Sequence, residues 1–477
     1  MRGFARGGRP SASVRSATQP GCGALGTRRR RSRWPEASGR RRSLRWAAFG
    51  PMLLLALPTA RGAPPGGWLD DHVAAVVDLY TSLHRSPELS LEEHETAARM
   101  AEELRRVGAE VTTGVGGHGV VGVIRNGRGP TIMLRADMDA LPVVEQTGLP
   151  YASAVRVRDE RGTTVGVMHA CGHDVHMAAA IGAVRCLTDR RDAWSGTLLV
   201  VMQPAEEKGG GARRMIADGL FHRFPRPEAA VALHCASDLA TGVVSCGAGP
   251  MNANVDSVDI VVKGRGGHGA YPHTTVDPVV VAARLVVDLQ ALVSREIDPL
   301  EPAVITVGSI HGGTKHNIIP DECRLQLTVR SCTERVRRTL LEGIRRMALA
   351  ASQAAAAPEP EIVFSTETTP AVVNDPQLAE RVVAALRRAA GPEQVLPGSL
   401  TMGGEDFSLY GLEGVPACMF RLGTVPQARL DELAARGESA PSLHSPRYAP
   451  DPEGSLRTAI SCLVAVVEEL LPAGGTR

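Results

Sequence analysis

The sequence predicts a two-domain α/β protein, and three short apolar runs carry that prediction. Residues 131–134, 197–202 and 229–233 are each dominated by aliphatic side chains and bounded by polar or turn-forming residues. Runs of this length and composition are typical of parallel strands that are buried on both faces. Because predicted strands and helices alternate up to about residue 248, we expect a mostly parallel sheet in the first domain.

The remaining elements follow in order along the chain. Residues 70–107 have a helical pattern, in which Ser90 and Glu93 fit a capping box before a long amphipathic stretch. From residue 255 the predicted order is strand, helix, two strands, helix and a final strand. This order is typical of a small α/β sandwich with an antiparallel sheet, so we expect an inserted second domain.

Composition supports a folded chain with few aromatic residues. Apolar residues make up 43% of the 477 and aromatic residues only 3%, so valine, alanine and leucine must build the core. The nine cysteines are scattered without the spacing of a disulfide scaffold. We expect mostly free, buried thiols.

Positive charge is concentrated in the first 50 residues, which contain 13 arginines and a single acidic residue, Glu36. The whole chain has a net charge of +2, but residues 51–477 contain 40 basic and 50 acidic side chains. An acidic body lacks the basic surface that nucleic-acid binding requires, so we predict no nucleic-acid partner.

An apolar run at residues 46–58 follows the basic head. It has the length of a signal-peptide core rather than a membrane span, and residues 40–44 form a weak twin-arginine pattern. We therefore expect export to the periplasm or the medium and no stable membrane span. Because residues 59–63 are a poor cleavage site, a misassigned start and a cytoplasmic location stay open.

Three motifs contain side chains suited to a metal site: His-Ala-Cys-Gly-His-Asp at 169–174, Gln-Pro-Ala-Glu-Glu at 203–207 and Ser-Leu-His-Ser-Pro at 442–446. A thiolate and an imidazole two residues apart can face one ion, and a Glu-Glu pair offers one ligand and one base. Zinc accepts sulfur, nitrogen and oxygen together, whereas a cysteine argues against a pure magnesium or calcium site; manganese and cobalt stay open. The motifs predict a hydrolytic two-metal site.

Each of these residues also fits a structural role. Cys171 alone could be a small buried apolar residue, His173 could cap a helix, and Glu206 with Glu207 could be a solvated pair. Their joint placement favours the site, because the three apolar runs end just before His234, the Glu-Glu pair and two aspartates. Open α/β sheets bind their ligands at such strand ends.

Six ordered motifs carry a family resemblance that covers about residues 70–472. They are Leu-Arg-Ala-Asp-Met-Asp-Ala-Leu-Pro at 134–142, the runs at 169–174 and 203–207, the histidine-glycine segment at 267–273, Asn-Ile-Ile-Pro at 317–320 and Met-Gly-Gly-Glu-Asp-Phe-Ser at 402–408. On these motifs the chain resembles the amidohydrolase branch of the co-catalytic metallopeptidases. That branch includes N-acyl-amino-acid, hippurate and indole-3-acetyl-amino-acid hydrolases.

The resemblance implies roles for individual residues. Glu206 would be the general base, and His268 would stabilise the tetrahedral oxyanion, often from a partner subunit. Two divalent ions, zinc or manganese with cobalt as a further possibility, would share a ligand set in which Cys171 bridges. The implied ligands are Cys171, His173, Glu207, His234 and His444.

Four further residues are expected around this set. Asp137 and Asp174 would orient the ligating imidazoles rather than bind metal themselves. Asn317 and Arg330 are candidates for binding a substrate carboxylate, since arginine offers a bidentate fork. Arg330 could equally be an exposed charge on a strand.

Two positions depart from the pattern of relatives. Arg135 stands where metallopeptidases outside this branch have a histidine two residues before the aspartate, so the ligand set must rely on Cys171 and His173. Leu327 stands where relatives commonly have glycine. The first departure agrees with the amidohydrolase branch.

The resemblance also indicates how the chain is divided. Residues 1–65 form the basic head with its signal-like segment, residues 66–248 and 366–477 the metal-binding catalytic domain, and residues 249–365 an inserted lid or dimerisation domain. The chain must return to the first domain because His444 has to reach the same metals as Cys171. A homodimer through the inserted domain is expected.

The implied reaction is metal-dependent hydrolysis of an N-acyl amino acid, or a similar small amide, to a carboxylic acid and a free amine. A metal-dependent dipeptidase shares this chemistry and is the first alternative. A non-catalytic binding protein on the same fold is the second, and the presence of Glu206 beside Glu207 argues against it, since a binder needs no base.

Overall fold

The computed structural model describes residues 66–159 and 162–474. The basic head and the apolar run at 46–58 lie outside the described residues. Within the described ranges, no helix combines the length and the apolar character that crossing a membrane requires.

Eleven α-helices and eighteen β-strands lie in the described part of the chain. The helices are α1 Gly66–Arg85, α2 His94–Arg106, α3 His173–Asp189, α4 Gly211–Ala217, α5 Leu220–Arg223, α6 Pro278–Ala291, α7 Glu334–Ala354, α8 Pro376–Ala390, α9 Ser408–Leu412, α10 Gln427–Ala435 and α11 Pro452–Leu470. The strands are β1 Glu110–Val115, β2 Gly119–Asn126, β3 Thr131–Asp137, β4 Arg156–Arg158, β5 Thr164–Gly166, β6 Gly196–Gln203, β7 Ala229–Ala240, β8 Val244–Cys246, β9 Gly249–Pro250, β10 Asn254–Lys263, β11 Gly267–His268, β12 Ala303–Gly312, β13 Ile318–Ile319, β14 Glu322–Ser331, β15 Glu361–Phe364, β16 Val373–Asn374, β17 Val395–Pro397 and β18 Ala417–Val425.

Eight strands form the larger sheet, in the order β1-β2-β6-β3-β7-β18-β8-β17. The four central strands β6, β3, β7 and β18 run parallel, and antiparallel partners flank them on both sides. Side chains of β3 alternate between two core clusters, with Leu134 in the cluster of α1, α3 and α11 and Met133 in the cluster of α4 and α9. Burial on both faces explains why the strand sequences are continuously apolar. The predicted α/β class with a mostly parallel sheet is confirmed.

The smaller sheet has four antiparallel strands in the order β12-β14-β10-β15. Helices α6 and α7 pack on one face, because alternate side chains of β10 and β14 join the same buried cluster as those helices. The elements match the order predicted for a small antiparallel α/β sandwich. The boundary at 249–365 and the dimerisation role stay predictions.

Two local expectations are wrong. The run at 229–233 is only the first part of β7, which continues to Ala240 because its later residues pair with β18. The capping box also fails: the Ser90 hydroxyl donates to Asp139 Oδ2 at 2.6 Å, and the Glu93 carboxylate accepts from the backbone N–H of Ala205 at 2.7 Å. Both side chains bond to distant segments instead of capping α2.

Candidate active site

The site lies where β3 and β6 end and α3 begins. The turn that precedes α3 presents Cys171 and His173, and Gly172 between them has φ of 80°. A Cβ atom at Gly172 would lie 2.9 Å from the sulfur of Cys235, so this turn excludes a larger residue. The turn after β6 presents Glu206 and Glu207 toward the same space.

Two groups of donor atoms meet at Cys171. Cys171, His173 and His234 form one group, and Cys171, Glu207 and His444 form the other, with the atoms of each group within 4.8 Å of one another. The Cys171 sulfur lies 3.7 Å from His234 Nε2, and Glu207 Oε1 lies 3.4 Å from His444 Nε2. The structure thus brings all five predicted ligands together around the one residue that both groups share.

Backbone contacts orient two of the imidazoles. His173 Nδ1 lies 2.8 Å from the carbonyl oxygen of Asp139, and His234 Nδ1 lies 2.9 Å from that of Cys235, so each Nδ1–H donates. Each Nε2 is thereby turned toward the other donors, His234 Nε2 toward the Cys171 sulfur and His173 Nε2 toward Glu207 Oε1. His173 Nε2 and Glu207 Oε1 are buried without a hydrogen-bond partner among the described residues, and buried polar atoms left unpaired in this way fit a bound cation.

The electrostatics of the donor set favour cation binding. Burial raises the pKa of the Cys171 thiol well above its usual value, and the carboxylates of Glu207 and Glu206 add to that effect. Burial alone would lower the pKa of His173, but Asp137, Asp139 and Glu207 outweigh it and raise the pKa to about 10. Cations bound here would displace these protons.

Glu206 is buried in a cluster of carboxylates. Burial raises its pKa well above the ordinary value, and Glu405, Glu207 and Asp406 reinforce the shift. The carboxylates of Glu206, Glu405 and Asp406 lie within 4.8 Å of one another. Divalent cations at the neighbouring donors would act in the opposite direction and favour the ionised form.

Arg135 compensates part of this negative charge. Its guanidinium is fully buried and donates to Asp137 at 2.6 Å, Glu405 at 2.9 Å and Asp406 at 3.1 Å. Arg135 therefore links β3 to the segment that precedes α9 through ion pairs.

The two aspartates expected to orient imidazoles differ in what they contact. Asp137 Oδ1 accepts from His176 Nδ1 at 2.6 Å, and His176 Nε2 accepts from the backbone N–H of Cys235 beside His234. Asp174 instead contacts His84 Nδ1 at 2.6 Å. That contact links α1 to the start of α3. Within the described ranges no hydrogen bond joins Asp174 to a predicted ligand, and its expected orienting role stays a prediction.

The predicted substrate-binding residues lie in separate places. His268, on β11, and Asn317, just before β13, are exposed and close together, since Gly269 N–H donates to the Asn317 carbonyl at 2.9 Å. Within the described chain, the His268 ring contacts Ala270 and Tyr271, which adjoin it in sequence, and not the donor set around Cys171. Arg330, on β14, is half-buried and has no ion pair among the described residues. Its guanidinium lies close to Gly404, where an added Cβ atom would be 3.7 Å from Nη1.

Several residues at the site escaped sequence reasoning. Ser90 and Glu93 fit a helix cap when only their local sequence is considered, and His84 is one of several polar residues in α1 and belongs to no motif. Glu405 and Asp406 lie in a motif that carried the resemblance, and the motif alone did not indicate their pairing with Arg135.

Comparisons with known proteins agree with this geometry. The model of peptidase family M20/M25/M40 matches residues 133–469. Thermostable carboxypeptidase 1 of Saccharolobus solfataricus is 38% identical over 73% of this chain and 86% of its own length. N-acetyl-L-cysteine deacetylase of Bacillus subtilis is 38% identical over 73% of this chain and 80% of its own length.

A solved structure is similar over nearly the same region. A dinuclear metal-binding peptidase of the M20 family from Bacillus subtilis is 30% identical, with a TM-score of 0.68, and the match covers 84% of this chain and 100% of that chain. The resemblance to the amidohydrolase branch is confirmed. The chain therefore belongs to peptidase family M20/M25/M40 and is a metal-dependent amidohydrolase.

Proposed function

We propose that the chain hydrolyses the amide bond of N-acyl amino acids and releases a carboxylic acid and a free amino acid. One observation carries the proposal: two groups of donor atoms share Cys171, and Glu206 adjoins them, within 4.8 Å of the His173 and Glu207 donors. A binding protein on this fold would have no use for a buried carboxylate beside the ligand set.

The proposed ligand set holds two divalent cations, with zinc the first choice because it accepts a thiolate together with imidazole and carboxylate donors. Manganese is the second choice and cobalt the third. When bound, the cations polarise the scissile carbonyl and acidify a water molecule. The ligands are those the sequence predicted, Cys171, His173, Glu207, His234 and His444.

Glu206 transfers the proton in this mechanism. It accepts a proton as water attacks the carbonyl carbon, and it returns that proton to the amide nitrogen as the carbon–nitrogen bond breaks. His268 donates a hydrogen bond to the oxyanion of the tetrahedral intermediate. Because His268 and Asn317 are exposed on a ribbon of the single chain, the proposal includes a homodimer in which they act on the partner's site.

Arg330 is proposed to bind the substrate carboxylate. It is half-buried and burial alone lowers its pKa, with no acidic partner among the described residues. An unpaired arginine in that state favours a carboxylate ligand, which it can bind through two parallel hydrogen bonds. A deacetylase of N-acetyl amino acids and a carboxypeptidase both release an amino acid whose carboxylate is free.

Export remains a proposal that rests on residues 46–58.

A peptidase acting on short peptides is the second candidate, and the carboxypeptidase among the relatives favours it. The two candidates are distinguished by comparing turnover of N-acetyl, N-benzoyl and indole-acetyl amino acids with turnover of dipeptides. N-acetyl amino acid amides, which lack the carboxylate, are the matched control for Arg330.

The proposal expects turnover of at least one acyl amino acid at a rate well above that of any dipeptide. It also expects the matched amide to be cleaved much more slowly. Faster cleavage of dipeptides would establish the peptidase instead, and no turnover of either class with two cations bound would contradict both.

A further inference from the structure

The turn that presents the proposed base is strained. Ala205, the residue before Glu206, has φ of 51°. A non-glycine residue in this left-handed region is strained, and it persists only where surrounding contacts hold it. His444, a second non-glycine residue with positive φ, belongs to one of the two groups of donor atoms.

Two carboxylates hold this turn by its backbone. Glu93 Oε1 accepts from the N–H of Ala205 at 2.7 Å, and Asp139 Oδ2 accepts from the N–H of Glu207 at 2.9 Å. Glu206 lies between these two anchors. Asp139 therefore fixes the backbone at Glu207, a proposed metal ligand, and Glu93 fixes the backbone at Ala205, on the other side of Glu206.

The burial of Glu93 is not explained by an ion pair. Its side chain is fully buried, and no cation among the described residues pairs with it. Glu103, on the helix α2 that follows Glu93, is equally buried but contacts Arg99, Arg106 and Arg185. A buried carboxylate without a cation costs free energy, and the hydrogen bond from the Ala205 N–H offsets part of that cost while it fixes the backbone of the turn.

We infer that Glu93 is a positioning residue for Glu206: by accepting the Ala205 amide, it fixes the backbone that aims the Glu206 carboxylate at the substrate. This inference rests on the proposed role of Glu206 as the base. Because Asp139 separately holds Glu207, the loss of Glu93 should affect proton transfer more than metal binding.

The test compares three substitutions in the full chain. Glu93→Met keeps the bulk of the side chain and removes the acceptor, Glu93→Gln keeps an acceptor in its amide carbonyl, and Glu103→Gln perturbs an equally buried carboxylate that does not contact the turn. The measurements are kcat and KM for an N-acetyl amino acid, metal ions per chain, thermal unfolding, and hydrogen exchange of the Ala205 amide in the metal-free protein.

Glu93→Met should lower kcat by roughly 10- to 100-fold with little change in KM, since a small misplacement of a catalytic group costs about that much. Metal content should be retained, and the Ala205 amide should exchange faster. Glu93→Gln should restore most of kcat and of the protection, and Glu103→Gln should change neither.

Equal kcat for Glu93→Met and Glu103→Gln, or an unchanged Ala205 amide, would overturn the inference. If Glu93→Met fails to fold, Glu93→Gln decides: a large loss of kcat while the amide stays protected would overturn the positioning role. Glu206→Gln in the same assay distinguishes a failure of the proposed function from a failure of this inference. If that variant keeps its activity, Glu206 is not the base, whatever the effect of the Glu93 substitutions.

Discussion

Among single residues, the sulfur of Cys171 has the widest influence, because it belongs to both groups of donor atoms. His234 belongs to only one group and His444 only to the other. A bridging donor supports two cations at once, whereas a terminal donor supports one. The two kinds of ligand can therefore be distinguished by how many metal ions per chain are lost when each residue is substituted.

Replacing Cys171 by alanine should lower the metal content of the purified protein from about two ions per chain to well below one, because both sites lose a donor. His444→Ala should lower it to about one, since only one site loses a donor. Elemental analysis after dialysis measures both. Cys235→Ala is the matched control, as this buried cysteine lies beside Gly172 outside the donor set; an equal loss from that variant would contradict the assignment.

Proton release should accompany metal binding. The raised pKa values of Cys171 and His173 mean that both groups hold a proton at neutral pH in the metal-free protein. A bound cation needs both deprotonated, so affinity should rise with pH. Calorimetric titrations in buffers of different ionisation enthalpy count the protons. Metal binding without proton release at pH 7 would contradict these pKa shifts.

At the scale of elements, a buried ion triad joins α1, the loop after β3 and the start of α3. His84 contacts Asp174 at 2.6 Å and Glu145 at 3.1 Å. Burial lowers the pKa of His84, but the hydrogen bonds to these two carboxylates outweigh that effect and raise the pKa to about 10. The charged imidazolium therefore holds together segments that frame the site.

His84→Gln should lower the free energy of unfolding by about 3–5 kcal/mol at pH 7, because it leaves two buried carboxylates without their cation. The histidine has a higher pKa folded (about 10) than unfolded (6.5). Its stabilisation is thus complete below about pH 6.5 and is lost as pH rises through about 10.

Urea unfolding of wild type and His84→Gln at several pH values between about 6 and 10 measures this contribution. The difference in the free energy of unfolding between wild type and His84→Gln should decrease as pH rises from about 6 to about 10. A difference that stays constant with pH would show that the imidazole is not charged in the folded chain.

Prediction from sequence succeeded for elements whose patterns are local. The apolar runs identified β3 and β6, because a strand that is buried on both faces of a sheet has apolar side chains at consecutive positions. The extension of β7 to Ala240 was missed because it depends on pairing with β18, about 180 residues further along the chain. The capping box failed for the same reason, since Ser90 and Glu93 bond to distant segments.

For the whole molecule, the fold could be predicted from the order of elements. Four of the five proposed ligands lie in short motifs and His234 follows an apolar run, so the sequence indicates where they are. Their roles as ligands, and the position of Cys171 between two ions, are implied by the resemblance and stay predictions. The network of Arg135 with Glu405 and Asp406 could not be predicted, because a buried arginine and its acids are some 270 residues apart and leave no local pattern.

A homodimer with composite sites makes a quantitative prediction. Glu206→Gln and His268→Ala should each be nearly inactive alone. Co-expressed in equal amounts, they should recover up to about a quarter of wild-type turnover, because half of the dimers are mixed and each mixed dimer has one intact site. No recovery in dimers shown to be mixed would place His268 at the site of its own chain or remove it from the mechanism.

The most direct test of the account as a whole is the turnover of Glu206→Gln at known metal occupancy. Wild type and variant are stripped, refilled with zinc or manganese, and assayed for release of amino acid from the best N-acyl substrate. We expect the variant to keep about two ions per chain and to lose roughly 10²–10⁴-fold in kcat, the factor that a general base supplies. Turnover within a few fold of wild type at full occupancy would contradict it.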